Sequence, residues 1–97
     1  MAQVKWTRQA VDDLDGIAEF IALDSENYAN LFVTHVRNAV ARAGQFPASG
    51  RLVPEAQNES LREILLGNYR IIYRIHDTCV EILAIYHSSR LLDPRQL

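Results

Sequence analysis

The apolar positions of this chain follow a helical period in the first half and a strict alternation in the second. Gln3 to Trp6 alternate as a short strand, and Thr7 stands where a helix cap is needed. Ala10, Val11, Leu14, Ile17, Ala18 and Ile21 then recur at helical spacing, with Arg8, Asp12, Asp13, Asp15 and Glu19 mainly on the other side, which predicts an amphipathic helix. Asp24 or Ser25 caps a second helix, whose stripe is Tyr28, Ala29, Phe32, Val36, Ala39, Val40 and Ala43 and which ends near Gly44. The connection between them is a few residues, so the two helices form an antiparallel hairpin. Gln45 to Ser60, with Pro47, Gly50 and Pro54, has the composition of a loop.

Leu61 to Leu66, Tyr69 to Ile75 and Val80 to His87 read as three antiparallel strands, the first two joined by the turn signal Gly67-Asn68. A second hairpin closing around Asp77 and Thr78 places Arg74 opposite Glu81, Ile72 opposite Leu83 and Arg70 opposite Ile85, with His87 diagonal to Arg70 on the same face. Arg74 and Glu81 then form a cross-strand ion pair. The tail predicts a short helical turn around Leu91 and Leu92, closed by Pro94. Both helical stripes need something to cover, and the meander is the only element large enough. The fold class is α+β: a short N-terminal strand and an antiparallel two-helix hairpin packed on one side of a C-terminal three-stranded antiparallel meander. The opposite side of that ribbon is expected to be free to meet a partner.

Ninety-seven residues with 48% apolar content make a single domain, 1–97. The first residues hold no apolar stretch long enough for a signal peptide or a membrane span, which predicts a cytoplasmic protein without a membrane role. Cys79 is alone, so no disulfide framework and no metal site on paired thiolates is expected, and the thiol reads as inert. The net charge of −2 and the single lysine, Lys5, argue against gripping a nucleic-acid backbone. Arg62, Arg70 and Arg74 against Glu63 alone confine any anion-facing surface to the sheet.

The order strand, two helices, three strands resembles the RelE/ParE superfamily of toxins from toxin–antitoxin pairs, over nearly the whole chain. The resemblance is carried by Trp6 with Ala10, Asp13, Leu14 and Ile17; by Phe46, Pro47, Gly50 and Arg51; by Val53, Pro54 and Glu55; by Leu61, Arg62 and Glu63; by Tyr69 to Arg74; and by Ile82, Leu83, His87 and Arg90. It implies a cognate antitoxin, a hetero-oligomer, and contact with operator DNA only through that antitoxin. No cofactor is implied. RelE-like members are ribosome-dependent endoribonucleases, and ParE-like members are regarded as poisons of DNA gyrase.

For a nuclease, the resemblance puts Arg70 at the scissile phosphate, His87 near the terminal histidine or tyrosine, and Glu55 as a loose match to the base. The lysines with which other RelE-like nucleases hold RNA have no counterpart in this sheet. The lysine-poor, arginine-bearing sheet and the ending His87, Ser88, Ser89, Arg90 resemble the ParE branch, which makes gyrase the expected target. Candidate target- or antitoxin-binding residues are Arg62, Arg70, Tyr73, His87, Arg90, Leu91 and Leu92. Leu31, Val33 and Leu97 are further candidates for apolar surface that an antitoxin buries. Trp6 reads as core, and neither His35 nor His76 is assigned a function.

Overall fold

The computed structural model describes residues 2–97. Strand β1 (Gln3–Trp6) leads into helices α1 (Arg8–Ala22) and α2 (Glu26–Gln45); β2 (Arg51–Leu52), β3 (Leu61–Leu66), β4 (Tyr69–Ile75) and β5 (Cys79–His87) complete one sheet in the order β1-β5-β4-β3-β2. The helix caps follow from side-chain chemistry. Thr7 accepts from the Ala10 N–H, and Ser25, rather than Asp24, accepts from the Tyr28 N–H. The α1 and α2 stripes, Ala10, Val36, Val40 and Ala43 among them, pack on Ile71, Tyr73, Val80, Ile82 and Ile85 to form the main core. Trp6 is half-buried against the same core.

Five features depart from the sequence expectations. First, β1 joins the sheet in parallel beside β5, pairing Gln3 with Cys79 and Trp6 with Ile82. Second, the 45–60 stretch is not all loop: Pro47–Ser49 form a 3₁₀ turn, and Arg51 and Leu52 pair with Glu63 and Arg62. Third, the helical turn of the tail forms at Pro94–Gln96, capped by Asp93, and not around Leu91 and Leu92. Fourth, the far side of the ribbon is not bare. Val53, Leu61, Ile72 and Leu92 form a second core there, with Ala56, Leu83, Tyr86 and Leu97 against it.

The turn order Gly67-Asn68 also finds its reason. Gly67 sits at φ 57° and no other described residue has a positive φ, which is the requirement of a type II′ hairpin, with glycine first.

The fifth departure, and the largest local one, is a bulge in β5. Arg74 pairs with Glu81 as expected, but Tyr73 pairs with Ile82 and Ile72 with Ala84, leaving Leu83 as an extra residue. Arg70 therefore faces Tyr86 rather than Ile85, and His87 faces Tyr69. Backbone groups of β5 beyond the end of β1 are met by α1 and its cap: the Thr7 hydroxyl donates to the Leu83 carbonyl at 2.9 Å, and Asp13 accepts the Ile85 N–H at 2.9 Å. Asp13 thus belongs to the bulge rather than to a polar helix surface. Asp13→Ala is expected to cost about 1–3 kcal/mol by orphaning that N–H, measured by chemical denaturation, and Asp13→Asn, which keeps an acceptor, less.

Candidate functional site

Arg70 is the centre of the far face. It extends from the start of β4, where only 4% of the residue is exposed, and a guanidinium so buried needs every donor met. Its Nε donates to Glu63 Oε1 at 2.8 Å and its Nη2 to the same oxygen at 2.5 Å. Glu55 takes the fork end on, Nη1 to Oε2 at 2.7 Å and Nη2 to Oε1 at 2.8 Å. The remaining Nη1 hydrogen goes to the Arg90 carbonyl at 3.1 Å. All five N–H donors of Arg70 are spent inside the protein.

Its two carboxylates are equally committed. Glu63, 1% exposed, gives its second oxygen to Arg51, whose side chain is 55% exposed. Glu55 also accepts the Leu92 N–H at 2.9 Å. The Arg70 guanidinium holds the Glu55 carboxyl down to about 2 against the ordinary 4.5, outweighing the upward push of partial burial. Arg51, Arg70, Glu55 and Glu63 form a network without net charge that ties β2, β3 and β4 to the 53–60 loop and to the tail. No buried side-chain polar atom among the described residues lacks a partner.

Glu63 was missed as a functional residue in the sequence, although the signal was there. The two-residue Gly67-Asn68 turn pairs Leu66 with Tyr69 and so Glu63 with Ile72, diagonal to Arg70 on one face.

His87 does not join Arg70. The extra residue at Leu83 moves His87 to the helix side of the sheet, where its ring meets Tyr69 edge-on at 5.6 Å and Tyr69 in turn meets Phe32 at 5.2 Å. His87 Nδ1 lies 3.2 Å from the Ser89 N–H and 2.7 Å from Ser89 Oγ. A backbone N–H can only donate, so Nδ1 is the acceptor and the neutral ring carries its proton on Nε2. The nitrogen a general base would offer is occupied.

The other candidates divide by exposure. Tyr73 is fully buried; its hydroxyl donates to the Pro47 carbonyl at 2.5 Å and accepts the Gly50 N–H at 3.0 Å. A Cβ on Gly50 would stand 2.5 Å from that hydroxyl, so only glycine fits. Leu92 is 9% exposed in the second core. Arg62 donates to the carbonyls of Glu59, Ala48 and Gly50. Tyr73, Leu92 and Arg62 therefore hold the fold. Arg74 makes no ion pair among the described residues, since Glu81 pairs with His76 at 3.0 Å.

Exposed around the clamp are Arg90, stacked over Tyr86 at 4.5 Å, and Leu91, 85% exposed. Leu91 borders a hollow of about 360 Å³ lined with Arg51, Pro54, Glu55, Leu65, Arg70 and Ser88. Among the described residues no cluster suited to a metal ion occurs, and no helix is long and apolar enough to cross a membrane.

Residues 4–92 match the family described as the ParE toxin of the type II toxin–antitoxin system parDE. Toxin RelE2 of Caulobacter vibrioides is 34% identical over 92 residues, covering 94% of this chain and all of its own. Among solved structures, the chromosomal ParDE toxin–antitoxin system of P. aeruginosa aligns at a TM-score of 0.73 and 26% identity, over 90% of this chain and 96% of that one. The RelBE2 toxin–antitoxin complex of Mycobacterium tuberculosis shares the fold at a TM-score of 0.64 and 22% identity, over 92% of this chain and 93% of that one. Relatives named for both branches thus share one architecture with this protein. The chain belongs to the ParE toxin family of type II toxin–antitoxin systems.

Proposed function

We propose that this toxin arrests growth by binding DNA gyrase in the cytoplasm, without chemistry of its own, and that a cognate antitoxin silences it. The observation that carries this reading is the full internal use of Arg70. A nuclease needs a cation with donors free for the scissile phosphate and a base with a free lone pair. Here Arg70 has no N–H to spare, Glu55 is neutralised by it, and His87 lies on the other side of the sheet. The acidic chain also opposes approach to ribosomal RNA.

The antitoxin is proposed to bind along the β2–β3 edge and the tail. Leu65 (49% exposed) and Leu91 (85%) expose apolar surface on the far face, Leu52 (50%) does so on the edge strand, and Arg90 stands exposed beside Leu91, which suits an extended segment with leucine-like and acidic side chains. Leu91→Ser is expected to leave the melting temperature unchanged and to weaken antitoxin binding by at least about tenfold, read by calorimetry. Purified toxin mixed with gyrase and supercoiled plasmid tests the target. Broken DNA with gyrase covalently attached is expected, and undisturbed supercoiling at saturating toxin would overturn the gyrase reading.

A further inference from the structure

The free end of the helical hairpin carries a surface that neither the cores nor the arginine clamp uses. Phe20 is 68% exposed, Leu23 83% and Tyr28 69%, all within or beside the turn that joins α1 to α2, and Leu31, further along α2, is 48% exposed. Next to them, Ala18, Ala22 and Ala29 line a groove of about 320 Å³ together with Glu19, Glu26 and Asn30. Alanines let a partner's side chain approach the backbone closely, and this volume is of the order of one or two large side chains. An apolar surface of this kind is a liability unless something covers it.

The charge of the hairpin says what kind of partner that is. From Gln9 to Val36 the chain has no lysine or arginine, while it holds Asp12, Asp13, Asp15, Glu19, Asp24 and Glu26. Only Asp13 among these is committed to the sheet. Such a field repels nucleic acid and anionic lipid, and attracts and orients a basic protein segment. We propose that the hairpin tip is the surface that engages the toxin's target protein, through a segment in which lysine or arginine flanks one or two apolar anchors. The anchors seat in the alanine-lined groove and against Phe20 and Leu23, and the cations face Glu19 and Glu26. This inference rests on the reading that toxicity comes from binding a protein. It uses other elements than the sheet edge assigned to the antitoxin.

The test uses two double variants of the full chain, F20S/L23S and E19K/E26K, each expressed in bacteria and each purified. All four positions are on the helical hairpin, and surface changes of this kind alter stability or unrelated binding by only about twofold. Growth-inhibitory potency is expected to fall at least about tenfold in both variants, the loss of a single strong anchor. Antitoxin affinity and melting temperature are expected to stay at wild-type values. Undiminished growth inhibition by either folded variant would overturn the proposal, and so would a parallel loss of antitoxin binding, which would give this face to the antitoxin. Potency is read in cells whatever the target is. A negative gyrase assay with wild-type toxin therefore removes gyrase from the account, while the variants alone decide the tip.

Discussion

Arg70→Ala is expected to lower the unfolding free energy by about 3–5 kcal/mol, because it leaves Glu55 without an ion-pair partner and the fully buried Glu63 with Arg51 alone, its inner oxygen unmet. In equilibrium denaturation this is a large part of the stability of a domain this size. The loss reaches beyond β4. The tail from Arg90 onward and the 53–60 loop are both fastened to the guanidinium or to Glu55, so hydrogen exchange should rise across Ala56, Arg90 and Leu92. Arg70→Lys is expected to recover little, since an ammonium cannot reproduce a fork that serves Glu55, Glu63 and a carbonyl together. An arginine kept for a scissile phosphate would behave otherwise: its removal would spare stability and abolish RNA cleavage. The two roles separate on one measurement of folding.

The second large effect is on acid stability. Glu55 has its carboxyl held at about 2 in the folded chain against the ordinary 4.5, chiefly by Arg70. A group whose folded value is depressed stabilises the native state above its unfolded value and loses that contribution as pH falls towards the folded one. Screened by solvent at the open side of the clamp, the contribution is of the order of 1–2 kcal/mol, fully present above about pH 5 and lost progressively between about pH 4.5 and 2. Urea unfolding as a function of pH should show that slope. Glu55→Gln should flatten it and lower stability at neutral pH, where the wild-type carboxylate is charged and paired.

Element order and both helix stripes were readable from periodicity, because each helix buries a stripe of its own sequence and the caps Thr7 and Ser25 lie beside it. The bulge was not. Nothing local in Val80 to His87 marks Leu83 as the extra residue; its stabilising partners, Thr7 and Asp13, lie more than seventy positions away and act through the fold. That single residue moved His87 to the opposite face and dissolved the expected Arg70–His87 site. The parallel place of β1 is equally non-local, since strand pairing across two helices leaves no mark in either strand.

A free far face was also too strict a condition for the family resemblance. Val53 and Leu92 cover part of that face, and the ribbon's last strand has a parallel neighbour, yet the family match spans residues 4–92. The covering is held by one arginine. The arginines around the clamp divide accordingly: Arg51, Arg62 and Arg70 are spent on carboxylates and carbonyls, and Arg90 in the tail stays exposed beside Leu91.

Whether the protein acts through its surface or through chemistry is decided most directly by primer extension on total messenger RNA, shortly after the toxin is induced in cells lacking its antitoxin. Transcripts should be intact within their coding regions while growth stops. New 5′ ends phased with codons in translated messages would contradict the account and return Arg70 to a catalytic role.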